Sequence, residues 1–480
     1  MNKPIHLGNF PIYWREIPIF HFYKSKYIAF FAKRIFNNVL MIKSLSMKKM
    51  TRLFVASLCM AALTSCGEQR KQVVYEEQGP FEVFPTLTTE ATPYRIPSIT
   101  KTSKGNLLAV ADSRPCRADI GYGRVDLHGR ISQDNGKTWG DVFTIIEGDG
   151  NMVDNDPNKS LTAGYGDPCL IADRESDRVL LLCVAGHQVF FRSTREVPNQ
   201  VAIMHSEDGG KTWGKPSIIT DQFYVPLDAS KVGPIQSMFI GSGRIMQSTR
   251  TKVGDYYRLY ACMLARDKDN NFCNFVVYSD DFGDNWKILG DVNVPGVPKN
   301  GDEPKTEELP DGSIILSSRT NGGRMYNIFK FTDTDKAEGN WGESVFSGAE
   351  NNGVTALENS CNGEIMILPV WRNSDNKKMH LALQSVPFGP KRTNVGIYYK
   401  ELADASDYGT PADFAKDWDG RFQVSNIGSA YSTMILQEDG QIAFFYEEDT
   451  HGANNGGGYT MVYKSLPIDK ITEGKYSLIH

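Results

Sequence analysis

Histidine is scarce in this chain, eight in 480 residues, and none falls in an HExxH or comparable metal pattern. The eight cysteines show no CxxC spacing, so a zinc site built from neighbouring thiols is not expected. No glycine-rich loop ends in Lys-Ser/Thr before a helix. The run from Gly452 to Gly458 lies in a polar loop without that ending, so a phosphate cradle is not expected either. Long helical periodicity is missing, which argues against a bundle or coiled coil. With no ligand set in view, the chain is expected to need no cofactor and no divalent metal.

What is present favours a turn-rich β protein: 44 glycines, 11% aromatics and 40% hydrophobic residues. The net charge of -5 is unevenly spread. Residues 1–65 hold ten Lys/Arg and one acid, Glu16, leaving 42 basic and 56 acidic residues, or -14, for the rest. Such a body lacks the basic footprint that nucleic-acid binding needs.

The basic start reads as a targeting segment. Lys48, Lys49 and Arg52 precede an apolar stretch, Leu53 to Leu63, too short to span a bilayer. Its end, Leu63-Thr64-Ser65-Cys66, resembles the bacterial lipobox, which implies cleavage and lipidation at Cys66. The expectation is an exported bacterial lipoprotein of the outer membrane, on its periplasmic or cell-surface side. Its only membrane contact is the lipid. Residues 1–46 fit no part of that scheme and are consistent with an upstream start codon. The expected layout is an extension plus signal peptide over 1–65, a linker over 66–84 and one domain over 85–480. Cys59 leaves with the signal. Of the other six cysteines, Cys262 and Cys273 could face each other across a hairpin, but buried free thiols are the simpler expectation.

From residue 85 onward the chain repeats itself. Six segments share a polar turn followed by an apolar strand, at 103–114, 176–186, 241–250, 310–319, 361–372 and 438–448. A period of about 65 residues holds four strands and their loops, one propeller blade. The expected fold is all-β, a six-bladed β-propeller. A second motif runs in phase. Ser132, Asp134, Gly136, Thr138 and Trp139 match S-x-D-x-G-x-T-W, as do Ser206, Asp208, Gly210, Thr212 and Trp213. Ser279, Asp281, Gly283 and Trp286 follow with Asn285 in place of Thr, and Thr332 to Trp341 looks like a worn copy. These are Asp boxes: Ser and Asp that bond nearby backbone, Gly for a positive φ, and Trp as a plug. They signal fold rather than catalysis and are expected away from any site.

In a propeller, equivalent strand ends converge on one rim. The repeated strands end in Arg114, Arg250, Arg319, Arg372 and the Glu447-Glu448 pair. Clustered guanidiniums imply an anionic ligand, most simply a carboxylate.

Tyr94-Arg95-Ile96-Pro97, together with the boxes, resembles the bacterial exo-sialidases (neuraminidases), retaining glycoside hydrolases on a six-bladed propeller. The resemblance runs from about residue 85 to the end. It implies that Arg95, Arg319 and Arg392 bind the carboxylate of sialic acid. Arg319 lies in the segment from Glu303 to Arg319, and Arg392 in Lys391-Arg392-Thr393-Asn394. The first segment is similar to that of the family's catalytic Glu, which register assigns to Glu303 rather than Glu307 or Glu308. Gly428-Ser429-Ala430-Tyr431-Ser432 resembles the segment of the nucleophilic Tyr, and Glu447 matches a Glu that orients the first Arg. Arg114 and then Asp119 fit the family's Arg and acid/base loop. Asp112, inside an apolar strand, and Asp126, on a strand face, are rivals to Asp119. Asp167 in Gly166-Asp167-Pro168 is similar to a family position near the substrate's 4-hydroxyl and N-acetyl groups, though a turn also explains it. Arg250 and Arg372 match no family motif and read as rim ion pairs.

The resemblance implies hydrolysis of terminal sialic acids from glycoproteins, glycolipids and oligosaccharides, with retention, through a tyrosyl intermediate. Two alternatives remain open. A non-catalytic propeller explains the blades but not the joint presence of Arg95, Arg319, Arg392, Glu303, Asp119 and Tyr431. A trans-sialidase shares that set and differs in its loops.

Overall fold

A computed structural model describes residues 76–150 and 162–479. The signal segment, Cys59, Cys66 and most of the expected linker lie outside the described residues. Six antiparallel sheets follow one another as the blades of a β-propeller. Blade 1 runs outward from the channel through Tyr94–Lys101, Leu107–Ser113, Asp126–Ser132 and Phe143–Ile146. Blade 2 repeats this with Tyr165–Ala172, Val179–Ala185, Gln200–Ser206 and Ser217–Ile218. Blade 4 uses Pro304–Glu308, Ile314–Thr320, Gly322–Asp333 and Glu338–Trp341. Blade 5 uses Ile365–Arg372, Lys377–Pro387, Val395–Leu402 and Gly420–Gln423.

Blade 6 is closed by both ends of the domain. Ser429–Leu436, Ile442–Glu448 and Thr460–Leu466 are joined on the outside by Gln78–Phe84, with Phe81 opposite Tyr463 and Phe84 opposite Met461. The propeller therefore begins at Gln78, not at residue 85. Val83 and Phe84 are fully buried, and this apolar pair takes the end of the expected linker into the sheet.

Blade 3 departs from the pattern. Its inner edge comes in two pieces, Ser237–Ile240 and Met246–Val253, both paired with Tyr256–Arg266; Phe272–Ser279 and Lys287–Ile288 complete the sheet. Between the pieces, Gly243 and Arg244 pair in parallel with Cys169 and Leu170 of blade 2. Arg244 crosses the channel to Glu307 at 2.6 Å and to the carbonyl of Ile365 at 2.9 Å, so this buried charge is paired.

The repeated apolar segments are thus not all equivalent. Leu107–Ser113, Val179–Ala185, Ile314–Thr320 and Ile442–Glu448 are second strands, whereas Met246–Val253 and Ile365–Arg372 are inner strands that run the opposite way. Arg250 and Arg372 therefore lie on the face opposite Arg114, Arg319 and Glu447. Arg250 donates to the carbonyl of Pro310 at 2.6 Å, and Arg372 pairs with Asp375 and Glu401 at 2.6 Å each. They share no rim with the candidate site. A continuous apolar run reports burial on both faces but not strand direction.

The three S-x-D-x-G repeats each close the turn between third and fourth strands. In the second, Gly210 N–H donates to Ser206 Oγ at 2.9 Å, and the Thr212 N–H and hydroxyl donate to the Asp208 carboxylate at 2.9 and 2.6 Å. In the third, the Asn285 amide replaces the Thr hydroxyl, donating to Asp281 at 2.7 Å. Each turn glycine touches the preceding blade: Gly136 meets Tyr463, Gly210 meets Leu108 and Gly283 meets Leu180. All six described cysteines are free, and register sets Cys273 opposite Ala265 and Cys262 opposite Val276, not opposite each other.

Candidate active site

The site lies where inner strands begin and second strands end. Three inner strands carry a register shift there, between Arg95 and Ser98, Gly166 and Cys169, and Ser429 and Ser432. These bulges coincide with Arg95, Asp167 and Tyr431, and a bulge re-aims the side chain it carries. Ile96 and Asp167 adopt φ of 58° and 54°, a left-handed conformation uncommon for residues other than glycine.

Tyr431 is the hub. Its hydroxyl donates to Glu303 Oε1 at 2.6 Å and accepts from Arg319 Nη1 at 2.9 Å. Arg319 also pairs with Glu303 Oε2 and with Asp302, each at 3.1 Å, and donates to Ser360 at 3.0 Å. Three guanidiniums surround the Tyr431 ring, with Arg95 and Arg392 at 5.5 Å and Arg319 at 6.0 Å from its centroid. Glu447, fully buried, accepts from Arg95 Nε at 2.6 Å, Ile96 N–H at 2.9 Å and Tyr431 N–H at 3.1 Å. One carboxylate thus fixes both an arginine and the tyrosine backbone. Arg392 has no carboxylate partner among the described residues; the charged neighbours it feels are Arg95 and Arg319. Three cations around one ring call for an anion.

Burial pushes the Tyr431 hydroxyl well above its ordinary pKa, and the charge on Glu303 adds to this; Arg319 and Arg392 pull the other way without reversing it. The phenol stays neutral at neutral pH, with an acceptor already on its proton.

A second group adjoins. Arg114 Nη2 bridges Asp112 at 2.8 Å and Asp119 at 3.1 Å. Asp112 is fully buried and also accepts from Asp167 N–H at 3.0 Å. Asp119 stands on the loop after the second strand, with 54% of its side chain exposed. Asp167 is buried and its Oδ2 has no hydrogen-bond partner. Burial, with Asp119 and Asp112 nearby, raises its pKa well above the usual carboxylate range. The two groups feel each other, since Glu303 acts on Asp167 and Arg95 on Arg114.

The structure thus brings Arg95, Arg114, Asp119, Asp167, Glu303, Arg319, Arg392, Tyr431 and Glu447 together at one end of the inner strands. Asp126 is elsewhere, paired with Arg124 at 2.9 Å. Glu307 faces Arg244 in the channel, and Glu308 accepts from Ser248 and Thr249 at 2.5 and 2.6 Å. Sequence reasoning missed Asp302 and Ser360, which brace Arg319. It set Asp112 beside Asp119 as a rival for the acid, whereas Asp112 is fully buried and ties Arg114 to Asp167. The D-x-R spacing of Asp112 and Arg114 on one strand face was the available signal. No group of three or more His, Cys, Asp or Glu able to hold a metal occurs among the described residues.

Comparison with known proteins gives a consistent picture. The chain is 28% identical over 369 residues to a sialidase of Micromonospora viridifaciens, covering 74% of this chain and 50% of that protein. It is 24% identical over 391 residues to a sialidase of Paraclostridium sordellii, covering 80% and 87%. The chain therefore spans half the length of the first relative and most of the second. No family model matches it. Among solved structures, the Hadza microbial sialidase Hz136 shares the fold at a TM-score of 0.60 and 20% identity, over 84% of this chain and 71% of that one. So does the intramolecular trans-sialidase of Ruminococcus gnavus, solved with oseltamivir carboxylate, at 0.60 and 17%, over 83% and 99%.

Proposed function

We propose that this chain is a bacterial sialidase, an exo-α-sialidase that removes terminal sialic acids from glycoconjugates with retention, through a tyrosyl intermediate. The observation that carries this reading is the Tyr431–Glu303 hydrogen bond of 2.6 Å inside the ring of Arg95, Arg319 and Arg392.

Sialic acid bears a carboxylate on its anomeric carbon, which repels an anionic nucleophile. A neutral phenol avoids that repulsion. As Tyr431 Oη bonds to the anomeric carbon, its proton passes to Glu303. The bond to the leaving oxygen breaks, and that oxygen takes a proton from Asp119. In the second half Asp119 accepts a proton from water, which attacks the same carbon. Tyr431 leaves and recovers its proton from Glu303. Arg95, Arg319 and Arg392 hold the carboxylate throughout, Glu447 fixes Arg95, and Arg114 and Asp167 face the ring from the acid side. Two opposite-face displacements give net retention.

The substrates on this reading are sialylated glycoproteins, glycolipids and oligosaccharides. Lipidation at Cys66 would hold the enzyme on an outer membrane, periplasmic or cell-surface side. The test is incubation with sialyllactose and product analysis by NMR. Release of free sialic acid, first as the α anomer, is expected. An anhydro or transferred product points to transfer on the same scaffold, and no turnover of any sialoside removes the enzymatic reading.

A further inference from the structure

The glycine-rich run from Gly452 to Gly458, which matches no phosphate loop, joins the second and third strands of blade 6. A Cβ on Gly456 would lie 2.7 Å from the carbonyl oxygen of Thr89 and 3.0 Å from Arg117 Nη2. One on Gly458 would lie 2.5 Å from the Pro93 side chain. Three segments far apart in sequence therefore meet without room for another side chain. They are this loop, the stretch before Tyr94 and the loop that carries Asp119.

Arg117 joins them. Its Nη1 donates to the carbonyls of Glu90 and Ala91 at 3.0 and 2.8 Å. Its Nη2 donates to the carbonyl of Thr89 and, at 3.4 Å, to that of Gly456. Residues 89–91 lead into the inner strand of blade 1, and Gly456 belongs to blade 6, so one guanidinium spans the seam where the ring of blades closes. The rigid fork of arginine suits this, since its donors point to two segments at once. Arg117 itself has φ of 59°, a conformation that a residue with a side chain keeps only where its surroundings hold it. Asp119 stands two residues on. The loop is shaped from within by Arg117 N–H donating to the Arg114 carbonyl at 2.8 Å and Tyr122 N–H to that of Asp119 at 3.2 Å. It is tied outward by Arg117 on one side. On the other, Gly121 lies so close to Gln188 and Val189 that their backbone is within 2.7 Å of where a Cβ would be. With 54% of its side chain exposed, Asp119 is not held by packing.

We propose that Arg117 is a positioning residue, which clamps the Asp119 loop to the seam between blades 1 and 6 and so sets where the proton donor stands. The inference rests on the sialidase reading, because it takes Asp119 as the acid. A proton donor must lie within hydrogen-bond reach of the glycosidic oxygen, and a displacement of about 1 Å costs up to about 10²-fold in rate. The guanidinium is occupied by backbone carbonyls, so Arg117 acts on the reaction through Asp119 alone. The glycines of the blade 6 loop are there to let the backbone come under the clamp.

The test compares 3'-sialyllactose, whose sugar leaving group needs a proton, with 4-nitrophenyl α-sialoside, whose phenolate departs without one. The quantity read is kcat/KM, which covers the steps up to cleavage of the glycosidic bond. Arg117→Ala should lower it about 30-fold for sialyllactose and less than about three-fold for the aryl sialoside. Asp119→Ala should show the same asymmetry in larger measure. Gly456→Ala, whose methyl group forces Thr89 and Arg117 to shift, should show it in smaller measure, and decides the matter if Arg117→Ala fails to fold. Equal losses on both substrates would mean that the clamp serves the fold or the sialic acid pocket, and no loss on either would mean that the loop stands without it; each overturns the proposal. Wild type that cleaves neither substrate, or Asp119→Ala without the asymmetry, would sink the reading on which the clamp rests.

Discussion

Tyr431 is 6% exposed and its hydroxyl donates to Glu303, so removing it removes the proposed nucleophile and leaves Arg319 without that acceptor. Tyr431→Phe should cost at least about 10³-fold in kcat. A fluorinated sialic acid that traps the intermediate should label Tyr431; a label mapped to Glu303 or Asp119 would overturn the mechanism. Asp167 supports a prediction about pH. Its folded pKa is raised well above the carboxylate range, first by burial and then by Asp119 and Asp112. A raised folded pKa means that the folded protein holds a proton which the unfolded chain has lost. That contribution to stability is complete below the ordinary carboxylate range and disappears as pH rises through the raised value. Asp167→Asn keeps an uncharged group and suits φ of 54°, where Asn is tolerated. Its melting temperature relative to wild type should therefore climb as pH rises from the ordinary carboxylate range; a constant difference would show that Asp167 is ionised throughout. At this scale the sequence was legible wherever a residue sits in a local motif, as Arg95, Glu303 and Tyr431 do. Asp302 and Asp112 were not, because nothing along the chain separates a carboxylate that braces an arginine from one that meets solvent.

The element that repeats most faithfully is the turn between third and fourth strands, and its glycines are placed by contact with the preceding blade. A Cβ on Gly136 would fall 2.2 Å from the Tyr463 ring, and φ there is +81°. Tyr463 cannot easily retreat, since its hydroxyl donates to the carbonyl of Asn135 at 3.0 Å and its ring packs on Trp139. Gly136→Ala thus combines overpacking with an unfavourable φ and should cost about 2–4 kcal/mol, seen as a lower denaturant midpoint. KM for sialyllactose should not change, because these turns lie on the face away from Tyr431. A rise in KM with unchanged stability would contradict that placement. Blade number followed from the repeat, because each second or inner strand is a buried apolar run after a polar turn. Which of the two a run forms was not legible. Blade 3 breaks its inner strand to pair Gly243 and Arg244 with blade 2, and that long-range pairing puts Arg250 on the far face.

For the whole molecule, strand direction decides at which face the propeller's first strand begins. Inner strands start at the site face, and each neighbour reverses direction, so an outermost strand starts at the opposite face. Gln78–Phe84 is the outermost strand of blade 6, with Gln78 opposite Ser465 and Phe84 opposite Met461. Thr460, just before Met461, stands opposite Glu448 and beside Glu447, so Phe84 is at the site face and Gln78 at the other. Gln78, where the first strand begins, therefore lies on the side away from Tyr431. We propose that Cys66 carries a lipid, as its lipobox resemblance implies. Cys66→Ser should move the protein from the membrane to the soluble fraction while kcat/KM on sialyllactose stays within about two-fold, since Cys66 supplies no group to the proposed chemistry. Wild type that is soluble after export would end the anchor proposal and leave the propeller's chemistry untouched.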